Sequence, residues 1–189
     1  NIEGTYQLLD VFKNFWVEND CPNYWRFLHV STDEVFGSLL KSEKKFSEKS
    51  KYFPRSPYSA SKAASDHLVM AWYHTYGLPV IISNCSNNYG PFQFPEKLIP
   101  KTIINCLQGK NIPVYGSGDN IRDWLFVEDH VCALAKLLNK AEPGKNYCIG
   151  GDGEISNLEI VKMICDIADE ISSNLTNSRS LIEFVNDRP

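Results

Sequence analysis

The sequence predicts an α/β fold, with part of a parallel sheet flanked by helices and a smaller C-terminal lobe. Short β-branched apolar runs alternate with helical patterns of ten or more residues, which is typical of the βαβ units that build a parallel sheet. Polar clusters follow two of these runs directly, and ligand sites of open parallel sheets lie at the carboxyl ends of their strands. From about residue 92 onward the predicted elements become shorter, which favours a small lobe interleaved with the sheet.

The first half of the chain has clear boundaries between its elements. Apolar residues at helical spacing indicate a helix over 4–17, and a second helix over 58–76 is opened by Pro57 and ended by Gly77. Two apolar runs predict buried strands, at 27–30 and 80–82. Charged or turn-forming residues predict loops, over 41–51 and 83–95.

The second half contains shorter elements with explicit end signals. Gly109 ends a helix over 98–107, and Ser156 with Glu159 forms a capping box that starts a helix reaching about residue 171. Pro113 cannot donate to a strand ladder, so the strand over 112–115 is expected at a sheet edge. The remaining predicted elements are an extended segment at 124–127, a helix at 129–138 and strands at 147–149 and 182–185.

Charge, apolar runs and cysteine spacing indicate which partners and which cellular location to expect. The 189 residues carry a formal net charge of -4, which argues against a nucleic-acid or anionic-membrane partner. No apolar run approaches the roughly 20 residues that span a bilayer, and no signal peptide is visible. The six cysteines lack C-x-x-C spacing and have no histidine at zinc-ligand spacing, so we expect free thiols, a reducing cytoplasmic location and no bound metal.

Tyr58 and Lys62 form the first candidate chemical pair. They are four residues apart on the predicted helix, so they lie on one face about one turn apart. A nearby ammonium stabilises a phenolate, so we expect Lys62 to lower the pKa of Tyr58 and to let it remove a hydroxyl proton near neutral pH. The small residues in the surrounding run, Ser56-Pro57-Tyr58-Ser59-Ala60-Ser61-Lys62, would let a cofactor approach the backbone.

This run resembles the active-site helix of extended short-chain dehydrogenase/reductases. The resemblance implies a partial Rossmann-like parallel sheet, with residues 1–91 as the C-terminal part of the NAD-binding domain and residues 92–189 as mainly the substrate-binding lobe. It also implies that NAD is the cofactor and that Tyr58, Lys62 and Asn88 help to bind it. The glycine-rich phosphate turn and the first strand of the family do not occur in this sequence. We therefore expect a fragment, truncated at both ends, that binds NAD poorly by itself.

The run Val30-Ser31-Thr32-Asp33-Glu34-Val35-Phe36-Gly37 is similar to the stretch that marks dTDP-glucose 4,6-dehydratases within this family. A dehydratase must take a proton from C5 and protonate the departing C6 hydroxyl, and two carboxyl groups in different environments can divide that work. The resemblance implies that Asp33 is the general acid and Glu34 the general base. It also implies that Thr32 binds the C4 hydroxyl beside Tyr58. The alternative is that the two carboxylates only cap the following turn.

Further segments resemble the same family in the expected order, from Asn84-Cys85-Ser86-Asn87-Asn88-Tyr89-Gly90-Pro91 to Asp187-Arg188-Pro189. They imply a substrate-binding set for a nucleotide sugar: Asn87, Lys97, Leu98, Pro113, Tyr115, Arg122, Asn157 and Asp187. In this set Arg122 would pair with the diphosphate, because a guanidinium fork matches phosphate oxygens. Ordinary structural roles stay open for several of them, such as an ion pair with Asp119 or Asp123 for Arg122 and a helix cap for Asn157.

The function that the resemblance implies is the NAD-dependent conversion of dTDP-glucose to dTDP-4-keto-6-deoxyglucose and water, which is a lyase reaction. UDP or CDP in place of dTDP stays open, and a homodimer through the helices over 4–17 and 58–76 rests on analogy. Two other functions also stay open: another nucleotide-sugar enzyme of the family, such as an epimerase or a decarboxylase, and a non-catalytic domain that kept the fold. The adjacent Asp33 and Glu34 favour the dehydratase, since many epimerases and decarboxylases of the family have no acidic pair there.

Overall fold

The computed structural model describes residues 1–39, 44–172 and 174–187, so Arg188, Pro189 and part of the predicted loop over 41–51 lie outside the described residues. The chain divides into two compact units: unit 1 is Asn1–Ser86 with Glu128–Gly150, and unit 2 is Asn87–Val127 with Gly151–Pro189. The helices are α1 Ile2–Glu18, α2 Pro57–Tyr76, α3 Leu98–Gln108, α4 Val127–Lys140 and α5 Asn157–Ile171. The strands are β1 Phe27–Thr32, β2 Val80–Cys85, β3 Asn87–Tyr89, β4 Ile112–Tyr115, β5 Ile121–Phe126, β6 Lys145–Ile149, β7 Glu154–Ser156 and β8 Ile182–Val185.

Unit 1 contains a parallel sheet with the strand order β1-β2-β6, which confirms the predicted α/β fold class. Strand β2 lies in the middle, and all six of its residues are buried. The apolar core beside it includes Leu9 of α1, Val69 of α2 and Ile82 of β2. Both helices therefore present an apolar face to this core.

Helix α2 carries the candidate pair and begins where the sequence predicts. Ser56 accepts a hydrogen bond from the backbone of Ser59, whose side chain in turn accepts one from the backbone of Ser56, so the two form a reciprocal capping box. Pro57 occupies the first helical position, where a missing N–H costs nothing. Gly77 ends the helix in the left-handed conformation that glycine adopts without a Cβ penalty.

The prediction of a loop over 83–95 is wrong over its first half. Strand β2 continues through Ser83, Asn84 and Cys85, which pair with β1 on one side and β6 on the other. The amide group of Asn84 fits this buried position because it donates to the carbonyl of Thr32 at 3.2 Å. The short strand β3 then pairs in parallel with β5.

Unit 2 contains a three-stranded sheet, in the order β3-β5-β7, and a parallel pair formed by β4 and β8. Cys106, Ile112, Val114, Val161 and Cys165 form its buried core, supplied by α3, β4 and α5. Ser156 and Glu159 make the predicted capping box at the start of α5. Strand β7, which pairs antiparallel with β5, was not predicted.

Two further observations concern the cysteines and the lengths of the apolar helices. All six cysteines are free thiols. Among the described residues, none of the helices combines the length and the apolar character that crossing a bilayer requires.

Candidate active site

The acidic pair lies directly after β1, at the carboxyl end of the parallel sheet of unit 1. Thr32 ends the strand and caps a 3-10 turn over Asp33–Phe36, its hydroxyl accepting a hydrogen bond from the backbone N–H of Glu34 at 3.3 Å. Asp33 and Glu34 form the first turn, where both side chains are half-buried. The capping role is thus filled by Thr32, whose hydroxyl also lies 3.5 Å from Oδ1 of Asp33.

The rest of this turn is anchored in a small apolar cluster. Val35 and Phe36 are buried against Ala63 of α2, with Phe46 and Tyr52 packed around them. The backbone carbonyl of Val35 also accepts a hydrogen bond from the N–H of Phe53 at 2.9 Å. The turn that carries the acidic pair is therefore fixed against the helix that carries Tyr58 and Lys62.

Tyr58 and Lys62 occupy the first two turns of α2 and face the end of β1. The Lys62 ammonium donates a hydrogen bond of 2.8 Å to the backbone carbonyl of Val30, two residues before Thr32. The Tyr58 side chain is half exposed, with 52% of its surface accessible. The helix thereby presents a reachable phenol beside the acidic turn.

The expectation that Lys62 lowers the pKa of Tyr58 is wrong for this structure. Partial burial raises the pKa of Tyr58, and the charges of Glu34 and Cys85 raise it further. The physical reason is that burial disfavours the charged phenolate and that the Glu34 carboxylate adds to this effect, while the Lys62 ammonium donates to the backbone carbonyl of Val30. Tyr58 therefore rests as a neutral phenol that can donate a hydrogen bond, close to the carboxylate proposed as the base.

Glu48 and Cys148 complete the surroundings of Asp33, and sequence reasoning missed both. The Glu48 carboxylate accepts a hydrogen bond of 3.0 Å from the backbone N–H of Cys148 on β6, and this bond lowers the pKa of Glu48. Burial, together with the nearby charges of Glu48 and Asp33, raises the pKa of Cys148 to about 11. Glu48 belongs to the charged segment predicted as a solvated loop, whose composition carries no signal for this contact.

A buried carboxylate, Asp66, lies one helical turn beyond Lys62 and was also missed. One of its oxygens, Oδ2, accepts hydrogen bonds from Ser31 at 2.9 Å, Tyr52 at 3.1 Å and Asn84 at 3.3 Å. Together with the charge of Asp66, burial raises the pKa of Tyr52. The available sequence signal was the spacing, because residues 58, 62 and 66 share one helix face.

Two small sets of predicted substrate residues lie in unit 2. Asn87 and Asn88 are in β3, opposite Trp124 and Leu125 of β5, while Arg122 is exposed nearer the start of β5. The alternative role for Arg122 is an ion pair with Asp123. The Asp123 carboxylate accepts hydrogen bonds from the backbone N–H groups of Gly151 and Gly153 at 2.9 and 2.8 Å, and these bonds compete with such a pair. Asn157 begins α5, and its backbone N–H donates to the carbonyl of Asn120.

The second set lies around β4 and α3. Pro113 and Tyr115 are in β4, and the carboxyl of Asp187 packs so closely over Gly116 that an added Cβ would lie 3.2 Å from its oxygen. Lys97 precedes α3 with an exposed ammonium 3.8 Å from Glu96. Leu98 instead packs against the apolar core of unit 2.

The hydrogen-bond donors of Tyr58 and Lys62 are suited to bind one end of a dinucleotide. An ammonium carries three N–H donors and Val30 accepts one of them, so Lys62 keeps donor capacity for ribose hydroxyls beside the reachable phenol. Both side chains lie toward the carboxyl edge of a parallel sheet, where such ligands bind. The described residues contain no group of histidine, cysteine or acidic side chains arranged to hold a metal ion.

The comparisons with known proteins agree on one family. The model of the GDP-mannose 4,6 dehydratase family matches residues 1–189. A dTDP-glucose 4,6-dehydratase of Salmonella typhimurium is 52% identical over 199 residues, which cover 100% of this chain and 55% of the relative. The resemblance predicted from the sequence is thereby confirmed.

Solved structures give the same result. The dTDP-glucose 4,6-dehydratase of Bacillus anthracis in complex with NAD superposes with a TM-score of 0.87 at 44% identity, covering 100% of this chain and 56% of that one. DesIV, a dTDP-glucose 4,6-dehydratase of Streptomyces venezuelae solved with NAD bound, gives 0.86 at 40% identity, covering 100% and 53%. The chain thus spans slightly more than half the length of the proteins it matches.

Proposed function

The chain belongs to the GDP-mannose 4,6 dehydratase family, and from this membership we propose that the whole protein is a dTDP-glucose 4,6-dehydratase that uses bound NAD. The observation that carries the proposal is the acidic pair at the end of β1, with the charge of Glu34 acting on Tyr58. An epimerase needs no acid and base to remove water, whereas a dehydratase needs both. The relatives that are about half identical to this chain, such as the Salmonella enzyme, bear the dehydratase name.

Each catalytic candidate has a role that follows from its position. Tyr58, Lys62 and Asn88 would hold NAD, which would supply the hydride acceptor for C4 of the sugar and the hydride donor for C6. Tyr58 binds the C4 hydroxyl and, in its phenolate form, takes the hydroxyl proton. Lys62 is the ammonium on the same helix face, and its positive charge would favour the phenolate against the effect of Glu34. Thr32 supplies a second hydrogen bond to the C4 oxygen, beside the turn that it caps.

The acidic pair performs the elimination. Once C4 is a ketone, the C5 hydrogen is acidic, and Glu34 removes it while Asp33 protonates the C6 hydroxyl, which departs as water. Glu34 then returns the proton to C5 as C6 receives the hydride. The two carboxyl groups have different neighbours, since Glu34 acts on the phenol of Tyr58 and Asp33 acts on Cys148. Different surroundings are what allow adjacent carboxyl groups to serve as acid and base at one pH.

The remaining assignments concern binding. We propose that residues 1–91 supply the C-terminal part of the NAD-binding domain, Asn88 contributing to the cofactor site, and that residues 92–189 form mainly the substrate lobe. The exposed guanidinium of Arg122 is suited to the diphosphate. The other proposed contacts to the nucleotide sugar are Asn87, Lys97, Leu98, Pro113, Tyr115, Asn157 and Asp187.

Incubation of the whole protein with dTDP-glucose tests the function directly. We expect a 4-keto-6-deoxy sugar nucleotide, and UDP-glucose and CDP-glucose in parallel reactions test the nucleotide. Asp33→Asn and Glu34→Gln should each lower the rate by about 100-fold or more, the usual contribution of a general acid or base. Asp20→Asn and Glu18→Gln, which change exposed carboxylates at the end of α1, are the matched controls. Near-normal dehydration by both site variants, or an epimerised product without water loss, would contradict the proposal.

We also propose that the whole protein is a cytoplasmic homodimer. The exposed apolar side chains Leu8, Val11 and Phe15 on α1 support self-association, and the six free thiols support a reducing compartment. Sedimentation velocity measures the first property, and a monomer at micromolar concentration would contradict it. Fractionation of the source cells measures the second, and recovery outside the cytoplasm would contradict it.

A further inference from the structure

Asp66 is a fully buried carboxylate that joins helix α2 to several other segments of unit 1. Its Oδ2 atom accepts hydrogen bonds from Ser31 of β1, Asn84 of β2 and Tyr52 of the segment before α2. Its other oxygen, Oδ1, lies 3.2 Å from Nε2 of His29. We call these five residues the Asp66 network.

The network is tied to the last four residues of β1, immediately before the acidic pair. Side chains alternate along a strand, so His29 and Ser31 point to the same face, which is the face that meets α2. The residues that alternate with them accept hydrogen bonds through their backbone carbonyls, Val30 from Lys62 at 2.8 Å and Thr32 from the side chain of Asn84 at 3.2 Å. Each residue from 29 to 32 therefore has a polar link to α2 or to a group that binds Asp66.

The helix side of the network carries the other half of the candidate site. Tyr58, Lys62 and Asp66 are spaced by four residues and share one face of α2. Asp66 lies at the buried end of this face, and Tyr58 lies at its exposed end. A shift of α2 along β1 would separate Asp66 from Ser31 and would also separate Tyr58 from Glu34.

A buried carboxylate is costly unless its hydrogen-bond partners are all in place. Because the three donors to Oδ2 of Asp66 come from three segments, one arrangement of those segments brings all three to this oxygen, and displaced arrangements leave it without them in a dry interior. An apolar side chain would stabilise this interior without selecting one register. The Asp66 network is therefore better suited to fix the relative positions of β1, β2 and α2 than to add stability alone.

We propose that Asp66 is a positioning residue, which holds Thr32, Asp33 and Glu34 in register with Tyr58 and Lys62. This inference rests on the proposed function, because its consequence is the rate of proton transfer during dehydration. The nucleotide contacts proposed above lie mainly in unit 2. Loss of the network should thus slow turnover and leave substrate affinity almost unchanged.

Asp66→Asn and Ser31→Ala in the whole protein test this role, with Ser65→Ala as the matched control. Ser65 is a buried serine of α2 whose hydroxyl donates only locally, to the carbonyl of Ser61 at 3.0 Å. We expect kcat to fall by about 10- to 100-fold in Asp66→Asn, since misplacement by about 1 Å can cost about 100-fold. In Ser31→Ala it should fall by about fivefold, the equivalent of one hydrogen bond. KM should stay within about twofold in both variants.

The kinetic result can overturn the inference in two ways. A kcat within about twofold of the unaltered protein in Ser31→Ala and in folded Asp66→Asn would contradict it, and so would an equal loss in Ser65→Ala. If Asp66→Asn does not fold, Ser31→Ala decides alone.

Hydrogen exchange separates this inference from the proposed function. In the protein without substrate, we expect the backbone amides of residues 31–36 to exchange faster in Asp66→Asn and Ser31→Ala than in Ser65→Ala. Amides of α4 should keep their rates in all three. Unchanged exchange over 31–36 would contradict the positioning role. Failure of the unaltered whole protein to dehydrate dTDP-glucose would instead contradict the proposed function, and the exchange rates would still decide on the network.

Discussion

The two units of the chain bury different chemistry. In the sheet of unit 1, buried polar side chains meet beneath the candidate site, and they include the carboxylate of Asp66 with its partners Ser31 and Asn84. The main apolar cluster of unit 2 consists of aliphatic side chains and the thiols of Cys106 and Cys165, and the buried polar side chains of this unit include the hydroxyls of Thr102 and Ser178. A buried polar network selects a geometry and an apolar cluster supplies stability, so the comparison separates the polar interior beneath the candidate site from the apolar cluster of unit 2.

The comparison has a simple consequence for substitutions. Changes to polar groups at the candidate site of unit 1 should alter activity much more than stability. Changes to the core of unit 2 should alter stability first. The predictions below test this division, beginning with the largest expected effect.

Tyr58→Phe is expected to abolish most of the activity and to leave the fold intact. The phenol is half exposed, so removing its hydroxyl should change the free energy of unfolding by less than about 0.5 kcal/mol. Loss of a group that transfers the C4 proton should lower kcat for dTDP-glucose by about 100-fold or more. Steady-state kinetics and urea unfolding measure the two effects. Tyr24→Phe, on a more exposed tyrosine of unit 1, is the control that should change neither.

A Tyr58→Phe variant that retains more than about a tenth of the unaltered kcat would contradict the expectation that polar groups at the candidate site control activity. It would mean that the reachable phenol does not transfer the proton.

Ile112→Ala is expected to give the largest loss of stability among these changes. Ile112 is 1% exposed in the core of unit 2, where removing an isoleucine side chain to Ala costs about 2–5 kcal/mol through lost burial and the cavity left behind. Ile121→Ala removes the same atoms from a half-exposed position of β5 and should cost about 0.5 kcal/mol or less. Urea unfolding of both variants measures the difference. Equal losses would show that the described core does not stabilise unit 2.

Local signals predicted the helices well. Helix α2 was placed within one residue because Pro57 and Gly77 are strong end signals, and α5 because Ser156 and Glu159 form a capping box. The family and the fold class also followed from the sequence. These features depend on residues close together in the chain, which is why a pattern can show them.

Features that depend on distant partners could not be predicted in the same way. Ser83, Asn84 and Cys85 read as loop residues and became a buried strand, because β1 and β6 supply the partners from both sides. The pKa of Tyr58 is raised and not lowered, because burial and the charge of Glu34 act on the phenol while the Lys62 ammonium donates to the carbonyl of Val30. Spacing along a helix shows which side chains share a face, but not which distant group competes for one of them.

His130→Gln is expected to give the smallest effect of these substitutions, a change in how the stability of the protein depends on pH. His130 is buried on α4, and burial lowers its pKa from the ordinary value of 6.5. Below pH 6.5 the unfolded chain therefore binds a proton that the folded state resists, so this contribution to stability is present above pH 6.5 and is lost as the pH falls through the folded-state pKa. Glutamine does not titrate, so the free energy of unfolding should fall less between about pH 7.5 and pH 5.5 in His130→Gln than in the unaltered protein. His74→Gln, on an exposed histidine of α2, is the matched control, and urea unfolding at both pH values measures all three proteins. An identical slope in His130→Gln and the unaltered protein would show that His130 does not contribute to the acid sensitivity of unit 1.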